Sequence, residues 1–316
     1  MKIPSAIRAA DGVVLDAVLH LPAGGHPRGA VVQAHGINAD MDEGGMFGRL
    51  ADGLAGEGFG VLRFSFRGHG RSDGTQQGAT IAGEILDLQA ALGAAVKGFE
   101  TPVSVVAASF GAVPTCLSLP YREGVPRSLV LWNPVLDLHR TFVEPSLPWA
   151  VENFGPSQQA LLASQGFFSV EGTFEVGRVL FEEMRRYRPV DGFVGSRMPA
   201  LVVHGDRDSA VPYDIARAAA DVRVSCDFHT VHGSDHGFDS RAHEGRGDRG
   251  HRVLAEGARR LTCGLFLAPR CRSLRAPWSA NSACSGASRS RVWQGARSLS
   301  IWLPGKRPLW SSGSGV

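Results

Sequence analysis

Cysteine is scarce in this 316-residue chain: Cys116, Cys226, Cys263, Cys271 and Cys284 form no Cys-x-x-Cys pair and show no Cys/His spacing of a metal site. A disulfide framework and a structural zinc are therefore not expected, and no metal or other cofactor is called for. Long apolar runs are missing as well. No stretch approaches the roughly 20 residues of a membrane span, and Met1-Lys2-Ile3-Pro4-Ser5 is not followed by the apolar segment of a secretory signal. The expectation is a cytoplasmic protein with no membrane partner. Acidic residues vanish after position 260: residues 261–316 hold eight Lys or Arg and no Asp or Glu, so the net charge of +3 resolves into −5 before that point and +8 after it. The tail also carries four of the six tryptophans, Trp278, Trp293, Trp302 and Trp310. Its basic residues are scattered without amphipathic spacing, which argues against a nucleic-acid or membrane-binding arm. Residues 263–316 are expected to be a disordered extension.

What is present is enough for a sizeable core: the chain is 43% hydrophobic, long for one domain but ordinary for a single α/β fold with an insertion. Ala6 to Ala10 and Val13 to Leu21 read as strands joined at Asp11-Gly12, a hairpin signal. Gly29 to Ala34, Gly60 to Phe66 and Leu129 to Trp132 read as further strands. Met46, Phe47, Leu50 and Leu54 mark a helix, and Ile81, Ile85, Leu88 and Leu92 have the three-and-four spacing of another. Strands alternating with helices predict a mostly parallel, doubly wound sheet. Residues 133–199 are far longer than a crossover requires and are rich in aromatics such as Phe142, Trp149, Phe154, Phe168, Phe174 and Phe181. They are expected to form a cap inserted between core segments 1–132 and 200–262.

Three segments carry chemistry. Val103-Ser104-Val105-Val106-Ala107-Ala108-Ser109-Phe110-Gly111-Ala112 is a β-branched run that drives into a small-residue turn and then into helix-compatible sequence. Such a sharp strand-to-helix turn lifts a serine hydroxyl clear of the sheet, and small neighbours let backbones crowd together. Ala200-Leu201-Val202-Val203-His204-Gly205-Asp206-Arg207-Asp208 is an apolar strand ending in a turn with two carboxylates. They are two apart, so one can point inward while the other faces solvent. His229, His232 and His236 follow in a segment of loop formers.

These three segments, with Val31-Val32-Gln33-Ala34-His35-Gly36-Ile37 and Arg63-Phe64-Ser65-Phe66-Arg67-Gly68-His69-Gly70-Arg71-Ser72-Asp73-Gly74, resemble the α/β-hydrolase superfamily over roughly residues 10 to 260. The order Ser, Asp, His is that of the superfamily. Within it, residues 166–177 and the helix after them resemble the cap of bacterial cinnamoyl or feruloyl esterase-like serine hydrolases. The resemblance implies Ser109 as nucleophile, Asp208 as acid on the pattern His-Gly-x-x-Asp-x-x-Val-Pro, and His236 as base on its Gly237-Phe238 sequel. It places the oxyanion donors at the backbone N–H groups of Ile37 and Phe110. One departure is Ala107, where the superfamily has glycine. His35 and His69 are expected to be supporting hydrogen-bonding groups and Asp73 a loop brace. Asp137, after the strand before the cap, is the alternative acid, since unusual hydrolases take theirs from that place, and Cys116 is expected to be a buried hydrophobe. The implied activity is hydrolysis of a small-molecule carboxylic ester without a cofactor. The alternatives are an acyl thioesterase or acyltransferase and a non-catalytic binding protein of the same fold. Oligomeric state is not legible.

Overall fold

The computed structural model describes residues 1–121 and 124–238; the expectation for residues 263–316 lies outside them. Eight strands form one sheet in the order β1-β2-β4-β3-β5-β6-β9-β10. They are β1 (Lys2–Arg8), β2 (Val14–His20), β3 (Ala30–Ala34), β4 (Gly60–Phe64), β5 (Val103–Ala108), β6 (Leu129–Trp132), β9 (Ala200–Gly205) and β10 (Cys226–Val231). β1 and β2 form an antiparallel hairpin and β2 runs antiparallel to β4, whereas every pairing from β4 to β10 is parallel. This is the mostly parallel doubly wound sheet that the alternation of elements predicts.

The central strands are buried on both faces, and their residues sort by parity as period-two geometry requires. Val32, Leu62, Val105, Leu131 and Val202 face one side, against α2 (Ile81–Phe99), α3 (Ala112–Ser118), α7 (Pro189–Gly195) and α8 (Tyr213–Val222). Val31, Val61, Val106, Val130 and Val203 face the other, against α1 (Met46–Gly56). α2 starts where Thr80 Oγ1 accepts the Gly83 N–H at 2.9 Å, and it ends at Glu100 in the left-handed region, φ 52°. Its buried positions Leu88, Ala91, Leu92, Ala95 and Phe99 keep the three-and-four spacing of one helix face. Each such large apolar side chain contributes about 1.5–3 kcal/mol by leaving water.

The chain leaves the sheet after β6 and returns at β9. Between them lie one turn of π-helix (His139–Val143), α4 (Pro148–Phe154), α5 (Pro156–Gln165), the hairpin β7–β8 (Phe167–Val170 and Phe174–Gly177), α6 (Arg178–Met184) and α7. Phe142, Phe154, Phe168, Phe174 and Phe181 share a third buried cluster with Ile37, Ile81 and Phe110 of the sheet's carboxyl-end loops. The hairpin tip is pinned to those loops by polar contacts. Asn38 Nδ2 donates to Glu171 Oε2 at 2.7 Å, and Gln76 Nε2 donates to the Thr173 carbonyl at 3.0 Å. The inserted segment thus roofs the carboxyl edge of β3 and β5, where ligands of open α/β sheets bind.

Candidate active site

β5 ends at Ala108, and Ser109 takes φ 49° before one turn of 3-10 helix leads into α3. A left-handed serine costs of order 1–3 kcal/mol, and the surrounding packing must hold it there. The packing is tight: a Cβ on Gly111 would stand 2.3 Å from the Ala34 carbonyl oxygen and 2.6 Å from that of His35. Only glycine lets the turn sit down on β3. Ala107, the departure from the superfamily pattern, is fully buried in the core between Ala34 and Leu131 of the neighbouring strands, where a methyl is accommodated. The Val135 N–H donates to the Ser109 carbonyl at 3.1 Å, which ties the chain leaving β6 to the turn. Ser109 is half-buried and Phe110 fully buried behind it.

Two strands further along the sheet, the turn after β9 carries Asp208 and the loop after β10 carries His236. His236 Nδ1 lies 2.8 Å from Asp208 Oδ2. The other carboxylate oxygen accepts the N–H groups of Ala210 and Val211 at 2.9 and 2.8 Å. His204 Nε2 stands 3.1 Å from Asp208 Oδ2, without hydrogen-bond geometry. Burial opposes the charge on Asp208, but the charge and hydrogen bond of His236, with His204 close by, outweigh it and hold this carboxyl well below the usual carboxylate range. The same partnership works in reverse on His236. Burial lowers its pKa, whereas the charge of Asp208, its hydrogen bond, and the charges of Glu43 and Asp235 raise it, and the net shift is upward. An Nδ1–H donated to a carboxylate leaves Nε2 with its lone pair outward, the tautomer a general base requires.

The two carboxylates of the turn are separated cleanly. Asp206 pairs with the exposed His232 at 2.8 Å and accepts the Gly233 N–H, so the inner pair is Asp208–His236 and the outer one Asp206–His232. His229 lies on β10. Asp137 accepts the Arg140 N–H and caps its turn, and Asp73 accepts the Val14 N–H. The Phe66 N–H donates to His35 Nε2 at 2.9 Å. His69 lies between the carbonyls of Arg67 and Ile37, 2.9 and 2.8 Å away, and stacks on Phe174 of β8 with ring centroids 4.3 Å apart. Burial pushes the Cys116 thiol up to about 12, so it is unreactive. Among the described residues the side-chain partner of His236 is Asp208, and no hydrogen bond joins it to Ser109.

Two functional neighbours escape sequence reasoning. Asn133, φ 43°, donates from Nδ2 to the His236 carbonyl and accepts the Gly205 N–H at 2.9 Å, so one side chain joins the ends of β6 and β9 to the histidine loop. Glu43, φ 46°, accepts the Gly36 N–H on Oε2 at 2.6 Å. A methyl on Gly36 would lie 3.3 Å from Ser109 Cβ and 3.4 Å from Glu43 Oε1, so the carboxyl and the serine meet at the same glycine. Neither residue carries a motif of its own; a polar side chain directly after a buried strand is the one sequence signal for Asn133. Among the described residues no group of three or more His, Cys, Asp or Glu is arranged to hold a metal ion, and no helix is long and apolar enough to cross a membrane.

A turn that raises a serine from a central parallel strand, with an Asp–His pair on the strands beyond it, is here set in an α/β-hydrolase fold. Comparison with known proteins agrees. Residues 25–167 match the hydrolase family described as serine aminopeptidase, S33. Est1E from Butyrivibrio proteoclasticus with ferulic acid bound superposes with a TM-score of 0.69 at 21% identity, covering 84% of this chain and 100% of that one. An esterase of Pyrococcus furiosus gives a TM-score of 0.63 at 18% identity, covering 83% and 91%. The esterase domain of a Rhodothermus marinus protein gives 0.59 at 19%, covering 82% and 98%. No curated protein matches the chain by sequence. The chain has the α/β-hydrolase fold, and its architecture is similar to that of these esterases.

Proposed function

We propose that this protein is a serine hydrolase that cleaves carboxylic esters through an acyl-enzyme formed on Ser109. The observation that carries the proposal is the Asp208–His236 hydrogen bond at the carboxyl edge of the sheet that also ends in the left-handed Ser109. In this reading Ser109 Oγ attacks the ester carbonyl while His236 Nε2 takes its proton. The tetrahedral oxyanion is held by the N–H groups of Phe110 and Ile37. Each donor of this kind contributes about 3 kcal/mol of transition-state stabilisation. The imidazolium, stabilised by Asp208, then protonates the departing alkoxide, and water repeats the sequence on the acyl-enzyme to release the acid and restore Ser109.

The aromatic cluster of the inserted segment, which reaches Ile37 and Phe110, supports an aryl or medium-length acyl group lying between the roof and the elbow. The ferulic acid bound by Est1E is an aryl acid of that kind.

The test is a fluorophosphonate probe, which reports an activated serine without presupposing a substrate. Label on Ser109, absent from Ser109→Ala, supports the proposal and justifies a panel of matched oxygen esters, acyl thioesters and aminoacyl amides. Faster turnover of thioester or amide would move the activity to that class. A folded protein that takes no label refutes the serine-hydrolase reading and leaves a binding protein of this fold.

A further inference from the structure

Glu43 has no part in the three-residue mechanism, yet it occupies the middle of the site. It follows the loop after β3, turns back through a left-handed backbone, and puts its carboxyl on the N–H of Gly36, one residue before Ile37. The space beside that glycine's Cα is bounded by Ser109 as well as by the carboxyl: a methyl there would lie 3.3 Å from Ser109 Cβ. The carboxyl also lies within electrostatic reach of His236. A carboxylate buried beside both the nucleophile and the base must be compensated or neutralised.

We propose that Glu43 is a positioning residue for the hydrolysis: it clamps the oxyanion loop beside the serine through Gly36 and places its carboxyl within electrostatic reach of His236. The proposal rests on the serine-hydrolase reading. The clamp is geometric, because the Gly36 N–H has its acceptor seven residues downstream at 2.6 Å and the donor at Ile37 moves with it. The charge is electrostatic. Burial raises the Glu43 carboxyl to about 7, with Asp40 adding to the rise and the Gly36 N–H and His236 opposing it. The ionisable groups around it are Asp40 and Asp42 of its own segment, Arg49 of α1, which reaches the adjacent Gly45, and His236, itself bonded to Asp208 and flanked by Asp235. When Glu43 is ionised it favours the imidazolium, so the histidine becomes a free base only at higher pH. When Glu43 is neutral that hold is lost.

The sign is testable. Glu43→Gln keeps an oxygen for the Gly36 N–H and removes the charge; Glu43→Ala removes both; Glu43→Asp keeps the charge on a shorter arm. The expected result for kcat/KM between pH 5 and 9 is an acid limb displaced downward by about half a unit or more in Glu43→Gln and Glu43→Ala. The limb is expected to stay in place in Glu43→Asp. The plateau should be near wild type in Glu43→Gln and lower by about tenfold or more in Glu43→Ala. A merely structural residue would lower the plateau without moving the limb. Superimposable limbs in wild type and the charge-removing variants overturn the proposal, as does a thermal melt showing that all three variants fail to fold, which would make Glu43 a structural residue. Fluorophosphonate labelling of the wild type separates the two hypotheses: an unlabelled Ser109 refutes the hydrolase reading, whereas label on Ser109 with an unmoved limb refutes the role of Glu43 alone.

Discussion

Asp208→Asn is the substitution in which the geometry makes its sharpest demand. The Asp208 oxygen that accepts from Ala210 and Val211 faces two backbone donors, so the amide oxygen of asparagine must take that place. The NH2 group then points at His236 Nδ1 and, 3.1 Å away in the native protein, His204 Nε2. Two donors cannot face each other, so His236 must turn its Nδ1 lone pair to the amide and carry its proton on Nε2. That is the atom required to take the proton of Ser109. The expected loss in kcat/KM is about ten-thousandfold, some 5 kcal/mol of transition-state stabilisation, with the remaining rate supplied by the oxyanion donors. Side-chain volume is unchanged, so the fold should survive. Hydrolysis of a simple aryl acetate and the rate of fluorophosphonate labelling read the effect, and a melting curve confirms folding. Asp206→Asn, which loosens only the exposed pair with His232, should stay within about twofold of wild type. If Asp208→Asn also kept its activity within tenfold, the assignment of acid and base would be refuted.

The pH profile should fall on its acid side with a midpoint above the ordinary histidine value of about 6.5, because the raised pKa of His236 keeps the base protonated to higher pH; a midpoint below 6 would contradict it. Asn133→Ala leaves the buried Gly205 N–H without its acceptor and the His236 carbonyl without its donor, for an expected stability loss of about 2 kcal/mol in a denaturant melt. It should also lower kcat by more than KM rises. Gly111→Ala forces a methyl into two backbone oxygens and should cost about 3 kcal/mol or prevent folding, read by yield and thermal melt.

The parallel core was legible because its strands are short apolar runs bounded by turn formers, and β6 spans Leu129–Trp132 in both sequence and structure. The first hairpin was displaced. Ala9 and Ala10 drew the first strand toward them, whereas pairing begins at Lys2 opposite His20, and β1 is so exposed that its alternation barely registers. Inside the inserted segment, composition signalled surplus apolar surface and not the β7–β8 hairpin. There Phe168, Val170, Phe174 and Val176 alternate with exposed residues around Glu171-Gly172, a period-two signal masked by neighbouring helices. At the site, Ser109, Asp208 and His236 each sit at the end of a recognisable strand. Asn133 matters through a hydrogen bond to His236, far off in the chain, and Glu43 through one to Gly36 beside the turn of Ser109. No local pattern encodes such a meeting.

The insertion begins and ends on adjacent parallel strands, β6 and β9, whose register is fixed by Leu129–Ala200 through Trp132–Val203. Its two anchor points are therefore independent of what lies between them. A segment of another length or composition can be exchanged there without altering a strand pairing, provided that Asn133 and Val135, which hold the His236 loop and the Ser109 turn, are kept. Evolution, or a designer building chimeras, can thus redraw the roof over the carboxyl edge while the strand register beneath it is inherited intact.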